Sequence, residues 1–130
     1  MANRSEALDI NVNADRWSAL SAPAAGATCG AGVSAAGATT KINLVSLSYS
    51  ILNMSAAPHT TTLQVRDASI AGTVLWSMDF LVANAAAAQG TLSNIELQNG
   101  LRGNGLYMGF STLLASVKES LSACGWFDNL

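Results

Sequence analysis

From Gly37 onward, apolar residues recur at every second position in short runs separated by Gly, Asn, Pro or Ser. A period of two places alternate side chains on opposite faces of a strand, so these runs predict half-buried β-strands. Thr40 to Met54 reads as one long strand whose inward parity changes. Ile42 and Leu44 occupy one face, and Val45, Leu47, Tyr49 and Ile51 the other, which predicts a bulge near Leu44 or Val45. Asn53 through His59 forms the following turn, because Pro58 cannot donate to a ladder. Thr61, Leu63 and Val65 then alternate with Thr62, Gln64 and Arg66, and Val74, Trp76, Met78 and Phe80 share a face that should look into the core. After an Ala85–Ala88 spacer, Leu92 to Leu97, Leu106 to Phe110, and Val117 to Ala123 with Trp126 complete the set.

The pattern predicts an all-β, single-domain β-sandwich of about seven or eight strands, with jelly-roll topology as the leading variant and an extended N-terminal arm. Residues 1–20 concentrate charge in Arg4, Glu6, Asp9, Asp15 and Arg16, and form an N-terminal arm or a first strand. Residues 21–38 are Gly- and Ala-rich with no side chain large enough for a core, and read as a connector; residues 39–130 make the sandwich. Within the arm, Leu8, Ile10 and Val12 alternate with polar neighbours, and Trp17 adds a large apolar group. These four are the candidate partner interface, since an extended segment can add as a strand to a neighbour's sheet edge.

Composition sharpens this picture. Half of the 130 residues are hydrophobic, 11% are charged and the net charge is −2. A freely diffusing domain usually carries about a quarter charged residues, so this surface suits a protein packed against neighbours. Six Lys and Arg spread over the chain make no phosphate-binding stripe, and nucleic acid is not expected as a partner. No apolar run approaches the roughly 20 residues of a membrane-spanning helix, and the polar N-terminus does not read as a secretory signal. The expected site of synthesis is a cytoplasm, where Cys29 and Cys124 would be reduced thiols.

Catalytic chemistry is sparse. The sole imidazole, His59, sits beside Pro58 in a predicted turn and reads as a solvated loop residue. The carboxylates Asp67, Asp79, Glu96 and Asp128 fall on different runs, and Gly100 to Gly105 lacks the Lys-Ser/Thr ending and following helix of a phosphate loop. No catalytic residue, metal site or cofactor is expected, and the chain is read as a non-enzyme; a small hydrolase is the remote alternative.

Four stretches carry a family resemblance: Gln64-Val-Arg-Asp-Ala-Ser69, Ala71-Gly-Thr-Val-Leu-Trp76, Gly105-Leu-Tyr-Met-Gly-Phe-Ser111 and Ser120-Leu-Ser-Ala-Cys-Gly-Trp126. Over about residues 37–128 the chain resembles small jelly-roll-like virion structural proteins of tailed bacteriophages, of the capsid decoration or cement type. The resemblance implies a subunit on the outer head surface that binds the major capsid protein across subunit seams, with copies of itself as further partners in a dimer or trimer. A tail-fibre, baseplate or receptor-binding module is the alternative, and it would present Trp76 or Trp126 to glycans.

Overall fold

A computed structural model describes residues 16–34, 40–93, 95, 97, 104–112 and 114–129. Eight strands run in the order β1 (Arg16–Ser21), β2 (Gly30–Val33), β3 (Thr40–Asn53), β4 (His59–Asp67), β5 (Val74–Val82), β6 (Ala86–Ser93), β7 (Leu106–Phe110) and β8 (Val117–Asn129). They form two four-stranded antiparallel sheets, with strand order β1-β8-β3-β6 in the first and β2-β7-β4-β5 in the second. A chain that crosses between sheets at nearly every step and ends with β8 beside β1 and β7 beside β2 is a jelly roll.

The β3 bulge stands where the parity change predicts it. Leu44 pairs with Gly125 and Ser46 with Cys124, so Val45 is the extra residue and points outward. This lets Ile42 and Leu44 before the bulge, and Leu47 and Ile51 after it, all face inward. Ile42, Leu44 and Leu47, with Trp17, Leu63, Val65, Leu106, Met108 and Leu121, build the main core between the sheets. A smaller cluster of Ile51, Val82 and Val117 closes one end. Tyr49 of the first sheet and Phe80 of the second meet at a centroid distance of 4.7 Å and tie the layers together.

Three expectations require correction. Val74 and Met78 do not share the cover given to Trp76 and Phe80; they are 39% and 36% exposed. A second bulge explains Val74. Trp76 pairs with Val65 but Val74 with Arg66, so the skipped Leu75 turns inward in its place; Met78 keeps the inward parity but lies on an edge strand. The stretch read as a connector contains β2, and buried Cys29 precedes it. The Ala spacer is the start of β6, where Ala86 and Ala88 fill the narrow space against the small end cluster. Packing here overrides the weak strand preference of Ala.

Asn53 pins the closed end. Its Nδ2 donates to the carbonyls of Ala57, Val82 and Ala83 at 2.9, 3.1 and 3.2 Å, and its Oδ1 accepts from the Ser55 N–H at 3.0 Å and hydroxyl at 2.6 Å. One fully buried amide thus joins the β3–β4 turn to the end of β5. Asn53→Ala strands several of these groups without partners, each costing about 1–3 kcal/mol. A fall in the denaturant midpoint matching at least about 2 kcal/mol is expected, and an unchanged midpoint would show the network to be dispensable.

Candidate functional site

The four candidate interface residues divide. Leu8, Ile10 and Val12 lie outside the described residues. Trp17 lies on β1, 8% exposed, within the main core of its own chain. Its ring runs over Gly125, where an added Cβ would stand 2.7 Å from Cζ2. Its cover comes from the sandwich, so no partner is needed to bury it.

The outer face of the first sheet is a broad surface not covered by the other sheet. Strand alternation turns Arg16, Ser18 and Leu20 of β1 outward, with Ser120, Ser122, Cys124 and Trp126 of β8. β3 adds Asn43, Ser46, Ser48 and Ser50, and β6 adds Gln89, Thr91 and Ser93. Register then aligns these residues in rows. Ser18, Cys124, Ser46 and Ser93 form one row across the sheet; Leu20, Ser122, Ser48 and Thr91 form the next; Ser120, Ser50 and Gln89 form a third. Each of these three rows is uncharged. Arg16 and Lys41 stand at one end of the face and Lys118 at the other.

Short side chains cross-linked to one another make this a firm surface. The Ser48 and Thr91 hydroxyls are 2.9 Å apart, and the Ser46 hydroxyl lies 3.1 Å from the Cys124 sulfur. One corner is apolar. The bulge pushes Val45 out to 43% exposure beside Trp126, at 42%, and a recess of about 380 Å³ lies among Arg16, Val45, Cys124 and Trp126. An exposed Trp beside a preformed recess is the kind of group that dominates binding energy at protein interfaces. Sequence periodicity shows that these residues alternate with core positions; only the pairing register shows that the serines of β3 and β8 share rows.

Both cysteines are free thiols. Cys29 is buried between the sheets and Cys124 points away from them, so the first sheet separates the two. Burial raises the Cys29 thiol pKa, opposed by the Ser21 hydroxyl and reinforced by the charge of Glu119.

A buried polar group stands where a solvated loop was expected. His59 is the first residue of β4 and only 3% exposed, which corrects its reading as a solvent-facing turn residue. Its Nε2 is 3.8 Å from Oε2 of Glu119, itself 4% exposed, and neither atom has a hydrogen-bond partner among the described residues. Burial pushes the Glu119 carboxyl up to about 7, against a smaller downward pull from the Thr61 hydroxyl. The inward parity of Val117, Leu121 and Ala123 is the sequence signal that places Glu119 inside. His59 shares the inward parity of Thr61, Leu63 and Val65, but Pro58 immediately before it makes the position read as turn and hides that signal. Closed to solvent and lacking a hydrogen-bonded nucleophile and base, this pair does not form an accessible reaction centre.

No protein-family model and no curated protein sequence matches the chain. Among solved structures it is similar to a glycoside hydrolase family 43 arabinoxylan arabinofuranohydrolase from Bacillus subtilis, at TM-score 0.44 and 9% identity, over 85% of this chain and 21% of that one. It thus spans about a fifth of the hydrolase. It is also similar to a carbohydrate-binding module, CBM36, in complex with calcium and xylotriose, at TM-score 0.38 and 12% identity, covering 76% of this chain and 72% of the module. A third likeness is to the naturally occurring empty particles of cowpea mosaic virus, at TM-score 0.38 and 9% identity, covering 89% and 88%. These likenesses concern fold alone, and the strand order itself makes the chain an all-β jelly roll.

Proposed function

We propose that this protein is a structural virion subunit, a decoration protein on the outer head of a tailed bacteriophage, and that it docks through the outer face of its first sheet. The supporting observation is the set of uncharged, hydroxyl-rich rows ending in the Val45–Trp126 corner. Such a face can be dehydrated without stranding a charge, the costly part of burying a surface. The resemblance of the Gln64–Ser69 and Ser120–Trp126 stretches to phage virion proteins supports the same reading. Capsid subunits supply the opposing surface, and Leu8, Ile10 and Val12 are a further contact with a neighbour.

The mechanism is mass action. A subunit that binds only the assembled shell stabilises that shell in proportion to its occupancy, and many copies multiply a modest gain per site. No catalytic group, cofactor, nucleic acid or membrane is required.

Co-sedimentation with empty phage heads tests the proposal. Wild-type protein should saturate the heads at a fixed stoichiometry, whereas Trp126→Ala should bind about 10–100-fold more weakly, as expected for truncating an aromatic anchor. Ser48→Lys, which places a charge in the middle row, should abolish docking. Both side chains point outward, so thermal midpoints should stay close to wild type. Binding to host cells but not to heads would favour the receptor-binding alternative, and unaltered head binding by both variants would exclude this face.

A further inference from the structure

The outer face of the second sheet has a different character. Tyr107 on β7 points outward and lies across the backbone of β2, made possible by three glycines. A Cβ on Gly30 would collide with Tyr107 Oη and Cζ, and one on Gly109 would stand 2.9 Å from Cε1. Gly32 leaves the rest of the strand bare beneath the ring, with Cδ2 3.9 Å from its own Cβ position. The phenol is therefore laid flat on the sheet, its lower face against main chain.

Beside it, on β4, Arg66 is the cross-strand partner of Tyr107, and Gln64 is the partner of Gly109. The guanidinium is fixed by three bonds to neutral acceptors. Nε and Nη2 donate to Gln64 Oε1 at 3.2 and 2.8 Å, and Nη1 donates to the Gly72 carbonyl at 2.8 Å. A guanidinium carries five N–H groups, so one on each Nη stays free of these three bonds. Among the described residues Arg66 forms no ion pair. A recess of about 150 Å³ opens between Tyr107, Arg66, Gln64 and Ile70.

We propose that this face binds an acidic saccharide, with the Tyr107 ring under the C–H face of a sugar ring and the free N–H groups of the Arg66 guanidinium on its carboxylate. A flat aromatic surface suits the apolar face of a pyranose, and a guanidinium with a free N–H on each Nη offers a carboxylate charge-assisted hydrogen bonds. Holding Arg66 with neutral acceptors orders it while leaving its charge uncompensated, which favours an anionic sugar over a neutral one. This site is independent of the docking face on the first sheet.

Titration of the full chain with trigalacturonic acid, followed by amide chemical shifts, tests the proposal, with maltotriose as the neutral control. Saturable binding at least about tenfold tighter for the acidic sugar is expected, with shifts on β2, β4 and β7. Arg66→Gln should reduce trigalacturonate affinity to the maltotriose level. Gly30→Ala, which displaces the ring without altering charge, should weaken both sugars, and Tyr107→Ala serves the same purpose should Gly30→Ala fail to fold. Absence of saturable binding, equal affinity for maltotriose, an unchanged Arg66→Gln variant, shifts confined to the Trp126 face, or inorganic phosphate competing as well as the sugar would each overturn it.

Discussion

Trp17→Ala should cost about 3–5 kcal/mol of folding stability, the range for truncating a buried aromatic, and so remove a large part of the roughly 5–15 kcal/mol that holds a domain of this kind together. The ring belongs to the core cluster with Leu44, Leu121 and Ala123, and Gly125 beneath it provides no atoms that could close the gap. Trp17→Phe should recover most of the loss. It keeps an aromatic ring and deletes an indole N–H that is buried without a hydrogen-bond partner among the described residues. Urea titrations of the three proteins would show this as a deep fall and a partial return of the midpoint. Removing residues 1–20 takes Trp17 and nearly all of β1 from the edge of β8, and should unfold the domain. A truncated chain that folds and melts like the full one would mean that β1 contributes nothing to the sandwich.

Periodicity leaves residues 1–20 open between an arm and a first strand, and the reason is local. Residues 1–20 read as separate material because charge is dense there, yet the inward face of β1 needs only Trp17 and Ala19 to pair with a strand as long as β8. β2 escaped notice for a related cause. Its own side chains are Gly, Ala and Val, and the bulk over its outer face is lent by Tyr107 from β7. The long strands were legible because β3 and β4 have a buried face against the opposite sheet and their alternation is strict. Even the β3 bulge shows as a parity change. On β5 the same device was hidden, since Val74, Leu75 and Trp76 are all apolar and the sequence cannot tell which one is skipped.

The candidate site was legible to the extent that parity allows. Ser46, Ser48 and Ser50 of β3 and Ser120 and Ser122 of β8 mark an outward face, but no alternation shows that β8 lies between β1 and β3, which is what converts scattered serines into uncharged rows. Trp126 was legible as a candidate contact; its recess depends on Val45 being pushed out by the bulge.

Folding stability should fall as pH rises from about 4.5 to about 7, the interval between the ordinary and the buried pKa of Glu119. The carboxyl is 4% exposed on the inward face of β8, so the fold favours its neutral form. A raised pKa means that the folded state holds the proton where the unfolded chain has released it. The contribution is therefore fully present below the unfolded pKa and lost as pH passes the folded one. The groups facing it do not reverse this sign at neutral pH. Thr61 exerts the smaller downward pull, the Cys29 thiol is kept neutral by its own burial, and His59 Nε2 lies 3.8 Å away without a hydrogen bond to the carboxyl. Glu119→Gln replaces the titrating group by an amide of the same shape. The variant should match wild type at about pH 4.5, exceed it by several degrees of Tm above about pH 7, and show a flatter profile between. Subtracting the two profiles cancels the titrating groups that do not interact with Glu119, so parallel curves would show that Glu119 does not carry the raised pKa, and a variant less stable at high pH would show that its charge is stabilised inside the sandwich.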